Sequence, residues 1–245
     1  MIPLERPEIS ASLKKRLDAK STLLSNSAAD STITRKAWKT AKTIRRDLKG
    51  QLSSMAAGYE RCMYCGENQG TDIDHFKPIA KDPLSAFLWE NHLLACSHCN
   101  SNEKRDQYPC GTDGSCLLVN PTKEDPYDHI SLTLPTGEYT GLTPKGGETI
   151  RVFGLWRPTL ERGRAKAYVR CKSMLRDWSA QIKNGHTDDA REVLESLLVQ
   201  PFADVLYVMI RRVDSPGAPI IFENEVLSAL KEMQEGAPFG SKWAN

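Results

Sequence analysis

The segments CMYC at 62–65, TDIDHFKP at 71–78 and NHLLACSHCN at 91–100 decide how this chain is read. Cys62 and Cys65, then Cys96 and Cys99, form two Cys-x-x-Cys pairs. Pairs set roughly 30 residues apart predict one tetrahedral zinc ion held by four thiolates. Such an ion holds a fold together but has no open position at which to activate water. Asp74, His75, Asn91 and Asn100 lie between and beside the two knuckles. Asp74 offers a carboxylate oxygen and Asn100 a carbonyl oxygen, donors suited to a second, hard cation such as Mg²⁺ or Mn²⁺. His75, with an ordinary pKa of about 6.5, suits the role of general base near neutrality.

Outward from this centre the pattern predicts an α+β fold. Extended pieces at 71–76 and 91–95, followed by a helix at 100–107, give strand, strand and helix around a cation. Upstream, a short helix at 11–24 precedes a long amphipathic one at 30–57, with Asp30 as N-cap, Gly58 as stop, and Ile33, Trp38, Ala41, Ile44, Leu48, Leu52 and Met55 on its apolar face. Downstream, short strands are expected at 116–119, 130–134 and 149–153, then helices at 159–183, 187–199, 202–212 and 222–234. Four regions result: a helical arm at 1–58, the zinc-stapled module at 59–110, a loop and short-strand extension at 111–158, and a mostly helical region at 159–245. The tail from Gly236 onward is expected to be frayed or partner-bound.

Hydrophobic content of 40% over 245 residues supplies an ordinary core and argues against disorder along the whole length. No apolar run approaches the roughly 18 residues of a membrane span, and the first ten residues show no signal stretch, so the expected location is the cytoplasm, away from membranes. Seven cysteines, an odd number, fit a secreted disulfide framework poorly. Cys110 and Cys116 flank a Gly-rich loop and read as reduced thiols ahead of a pair or an added ligand; Cys171 reads as a core thiol. The net charge of +2 selects no partner, but its distribution is uneven. Lys36, Lys39, Lys42, Arg45, Arg46 and Lys49 crowd one helix, and Arg157, Arg162, Arg164, Lys166 and Arg170 another. Each cluster suits a phosphate backbone, a partner subunit or simply solvent. His92, His98 and His129 are assigned to local hydrogen bonding, and Trp89, Trp156 and Trp178 to the core.

The zinc knuckles, DHFKP at 74–78, NHLL at 91–94 and Asn100 together resemble an HNH endonuclease, the ββα-metal class, in its zinc-containing form. The resemblance implies that His75 activates water, that Asp74 and Asn100 bind one catalytic metal, and that Asn91 orients the histidine. It departs from many members at Asn100, where they carry histidine. Lys104 and Arg105 follow the second knuckle and are the candidates for gripping the scissile strand. CLLVNPTKEDP at 116–126, His129 and GLWRPTLER at 154–162 are further similar to the HNH subunits of Septu-type and retron-linked anti-phage systems. That narrower likeness implies an ABC-type ATPase partner. A stand-alone restriction or homing-like nuclease, and a non-catalytic zinc-stapled adaptor, are the rival readings.

Overall fold

The computed structural model describes residues 1–235, so the tail expected from Gly236 onward lies outside the described residues. It bears out the α+β class, with helices flanking a small zinc-type core. Helix α1 (Ala11–Asn26) begins where Ser10 accepts a hydrogen bond from the Leu13 amide, and buries Leu13, Leu17 and Leu24 along one face. The single helix expected at 30–57 is instead two, α2 (Ser31–Thr40) and α3 (Lys42–Met55). The break has a local cause. The Thr40 hydroxyl donates to the Lys36 and Ala37 carbonyls, and the Ala41 amide turns to Trp38 three residues back. Asp30 caps α2 as expected, whereas Ile33 is half-exposed and Thr34 takes the buried position.

The core of the module is an antiparallel pair, β1 (Asp72–His75) and β2 (His92–Ala95), in which Asp74 lies opposite Leu93 and His75 opposite His92. Alternation along β1 sends Asp72 and Asp74 to one face and Ile73 and His75 to the other. All four residues of β2 are buried, because α3 packs on the sheet while the following helix covers its other side. That following helix is not the α-helix expected at 100–107. His98–Lys104 is a π-helix, with the Arg105 amide bonded to the Asn100 carbonyl, and Arg105 itself leaves it at a φ of 50°.

Past the module, β3 (Ile130–Thr133) and β4 (Glu138–Gly141) form a hairpin. Gly137 turns it at a φ of 75° in a place where a Cβ would sit 2.0 Å from the Glu161 carbonyl oxygen. The strand expected at 149–153 is corrected to helix α4 (Pro144–Val152), whose start Thr143 caps through the Gly146 amide. Threonine and valine there favour a strand, but the Pro144 start and the Thr143 cap set a helix. The helix expected at 159–183 is α5 (Pro158–Lys183), and α6 (Thr187–Val199), α7 (Ala203–Arg212), the short α8 (Ala218–Ile221) and α9 (Asn224–Glu235) complete the chain. Helices α6, α7 and α9 pack around α5. One continuous apolar cluster joins α1, α3, the sheet and these helices. Trp89 and Trp178 belong to it; Trp156 does not, being 55% exposed. Among the described residues no single helix is long and apolar enough to cross a membrane.

Candidate active site and zinc centre

The two knuckles bring Cys62, Cys65, Cys96 and Cys99 together, buried, with all four sulfurs within 4.8 Å of one another. Cys65 and Cys96 lie 4.0 Å apart, close to the edge of about 3.8 Å that a tetrahedron with zinc–sulfur bonds of about 2.3 Å requires. Hydrogen bonding from Cys62 pulls the Cys65 and Cys96 thiols down, toward the thiolate a metal needs. Two side chains also aim donors at the sulfurs. Arg157, at the start of α5, reaches Cys99 Sγ at 3.6 Å, and Asn68 Nδ2 reaches Cys96 Sγ at 3.8 Å. The four-cysteine cluster therefore fits a structural zinc, and Arg157 links it to the helical region.

His75 closes β1 with its ring against Trp38 of α2 at 4.4 Å between centroids and beside His92 at 5.0 Å. Its Nε2 lies 3.1 Å from the Ala86 carbonyl oxygen, and His92 Nε2 lies 3.0 Å from the same atom. A carbonyl can only accept, so both Nε2 atoms carry the hydrogen and both Nδ1 atoms keep a lone pair while the rings are neutral. Burial pushes the His75 pKa down to about 4, against a raising influence from Asp74. The imidazole is thus neutral and able to accept a proton across the ordinary pH range. His92 is fully buried and its Nδ1 has no hydrogen-bond partner among the described residues.

Asn91 does not touch His75. Its Oδ1 accepts from the Lys77 amide at 2.8 Å, while Nδ2 donates to the Lys77 carbonyl, the Ser85 carbonyl and Ser85 Oγ at 3.0–3.1 Å. These bonds brace the turn that presents Ala86, so any hold of Asn91 on the imidazole runs through that carbonyl. Asn91→Ala is expected to leave several buried polar groups without partners, at about 1–3 kcal/mol each, and to lower the urea midpoint accordingly. An unchanged midpoint would count against this bracing role.

On the opposite face of β1, Asp74 is 2% exposed and both its oxygens are engaged: Oδ2 accepts from the Tyr64 phenol at 2.5 Å and Oδ1 from Lys104 Nζ at 2.9 Å. Lys104 also donates to the His75 carbonyl at 2.6 Å and is wholly buried. Its expected role at the scissile strand is corrected, because a buried ammonium paired with a carboxylate cannot reach a phosphate outside. Asn100 donates to Asp72 at 3.1 Å rather than facing Asp74. The Asp74 and Asn100 side chains therefore do not form the divalent-cation site expected of them in this arrangement. Lys104 supplies the positive charge at Asp74 instead. Arg105 is exposed, with Nε bonded to the Asn102 carbonyl at 3.1 Å.

Lys104→Met is expected to cost about 3–5 kcal/mol by stranding the buried Asp74 carboxylate, and adding Asp74→Asn should recover most of it. Denaturant melts of the two single variants and the double variant measure the coupling. Additive losses would show that the pair does not interact.

Several residues of the site escape a motif reading. Asp72 was detectable, since period-two alternation alone puts it on the face of Asp74. Tyr64, Trp38 and the Ala86 carbonyl carry no such signal. His98 bonds Glu103 at 3.1 Å, and His129 lies between Glu124 and Thr143, as local hydrogen bonding requires. The basic residues of α2 and α3 are mostly exposed, but Arg164 in the second basic cluster is buried, donating to the Gly137 and Leu155 carbonyls. Arg35 ties α2 to Asp106 just beyond the π-helix, at 3.0 Å.

Compared with known proteins, residues 62–106 match a family model described as HNH endonuclease. No curated protein and no solved structure matches the chain.

Proposed function

We propose, taking residues 62–106 as an HNH endonuclease domain, that the chain hydrolyses nucleic-acid phosphodiester bonds, DNA ahead of RNA. The observation that carries this reading is His75, a neutral imidazole whose Nε2 is pinned by the Ala86 carbonyl and whose Nδ1 is left as a base. In this mechanism Nδ1 takes a proton from water attacking the phosphorus. The Ala86 carbonyl then holds the imidazolium by a stronger hydrogen bond, and the charge of Asp74 favours it. Arg105, exposed beyond the π-helix, is the proposed contact to the strand. Dependence on Mg²⁺ or Mn²⁺ rests on the family match, since the Asp74–Asn100 pair as it stands does not hold such an ion.

The anti-phage role, with an ABC-type ATPase as partner, belongs to the same proposal. It is supported by the resemblance of residues 116–126, 129 and 154–162 to Septu-type and retron-linked subunits. Exposed Ile220 and Val169 near the α8–α5 contact offer an apolar surface for a subunit. A non-catalytic adaptor is the second reading, and the Asp74–Lys104 pair favours it by occupying a carboxylate that a nuclease would use. The test is incubation of the purified chain, with and without an ATPase encoded next door, on plasmid DNA and total RNA in Mg²⁺ or Mn²⁺. Cleavage that needs the ATPase supports the complex, cleavage by the chain alone supports a stand-alone nuclease, and no cleavage under any combination supports the adaptor.

A further inference from the structure

The segment just after the π-helix holds two thiols that the zinc centre does not use. Cys110 is exposed and Cys116 half-buried, and the two face each other across an isolated antiparallel bridge. The hydrogen bonds around them fix the type of pairing. The Gly111 amide donates to the Ser115 carbonyl at 2.8 Å and the Leu117 amide to the Pro109 carbonyl at 2.9 Å, one on each side of the two cysteines. Cys110 and Cys116 therefore form a non-hydrogen-bonded pair, the kind in which side chains on one face approach most closely, with Cα atoms about 4.5 Å apart. Disulfides span Cα separations of about 4.4–6.8 Å. The turn holds this register firmly. Gly114 supplies a φ of 80°, and Asp113 accepts from both the Ser115 amide and its hydroxyl.

We propose that Cys110 and Cys116 are a modification site, a dithiol that low-molecular-weight disulfides such as glutathione disulfide convert reversibly into a cystine. One thiolate attacks a sulfur of glutathione disulfide, forming a mixed disulfide and releasing glutathione. The second thiolate attacks the protein sulfur of that mixed disulfide, forming the Cys110–Cys116 bond and releasing a second glutathione. Two electrons leave the protein dithiol and reduce the added disulfide; the thiol protons pass to the two glutathione thiolates. Little opposes the side-chain rotation required. Each sulfur now makes a weak contact along its own strand, Cys110 with the Tyr108 carbonyl at 3.6 Å and Cys116 with the Leu118 carbonyl at 3.8 Å. The other five cysteines are placed differently: four belong to the zinc cluster, and Cys171 is buried in α5.

The bond has a route to the site. The Tyr108 phenol is hydrogen-bonded to Cys116, and its ring packs edge-on against Phe76, the residue after His75, at 6.0 Å. Closing the cystine draws the sulfur off that phenol.

The test treats the full zinc-loaded chain with glutathione disulfide, alkylates the remaining thiols and maps peptides by mass spectrometry. Expected are the loss of two free thiols, a dithiothreitol-sensitive crosslink between the peptides carrying Cys110 and Cys116, and unchanged zinc content. Cys116→Ser should instead accumulate a stable glutathione adduct at Cys110, because the resolving thiol is gone. Separate, persistent adducts on both cysteines of the unaltered chain, or both remaining alkylatable, would overturn the proposal.

Discussion

Replacing His75 by alanine is expected to lower cleavage by about 10²–10⁴-fold, the usual contribution of a positioned general base. Folding and zinc content should survive, because the side chain gives up one hydrogen bond, to Ala86, and its contacts with Trp38 and His92. Rates on plasmid DNA, read beside zinc stoichiometry and a thermal melt, separate chemistry from collapse. Unimpaired cleavage by this variant would remove His75 from the mechanism. The same residue sets a pH signature. Its pKa in the fold is about 4, below the ordinary value of about 6.5, so the acid limb of kcat/KM should fall near pH 4 and not near 6.5. Stability follows the same sign. Between about 6.5 and 4 the unfolded chain holds this proton more tightly than the fold does, so the contribution present above pH 6.5 is progressively lost as pH falls toward 4.

Removing zinc is expected to have the largest effect on the fold. Structural zinc supplies about 10–16 kcal/mol in small zinc domains, as much as the whole net stability of about 5–15 kcal/mol of a typical protein. Here the ion would join two knuckles that flank a sheet of only two four-residue strands, β1 and β2. Chelation, or Cys99→Ser, should therefore disorder residues 62–106 and release the imidazole from its carbonyl. Circular dichroism melts with and without chelator measure this, with Cys171→Ser as the control thiol outside the cluster. An unchanged melt after verified loss of zinc would show that packing alone holds the knuckles. Arg157→Ala, which deletes the donor to Cys99, should weaken zinc retention in competition with a chelator while leaving the fold intact at saturating zinc.

The zinc cluster, the two strands and the long C-terminal helices were legible in the sequence because each rests on a local signal: a spacing of cysteines, an alternation, or a run of apolar residues three and four apart. Asp74 and Asn100 were not legible as they stand. Their partners, Lys104 and Asp72, are chosen by the phase of a helix that carries one extra residue per turn, which no local propensity announces. The break at Ala41 escaped for a similar reason: a single threonine hydroxyl redirects one amide, and Trp38 then faces the histidines instead of continuing a straight helix. Helix α4 was misread because its Thr and Val residues match a strand when considered without the Thr143 cap.

The wide turn at His98–Lys104 ties the register of this segment to its length as well as its composition. An α-helix advances about 100° per residue, so losing a single position there would swing everything after it around the axis by more than a quarter turn. The Lys104 ammonium would then leave the Asp74 carboxylate, and Arg105 would change the side of the molecule on which it emerges. Substitutions in this stretch alter one contact; a one-residue deletion changes the charge balance of the whole strand face.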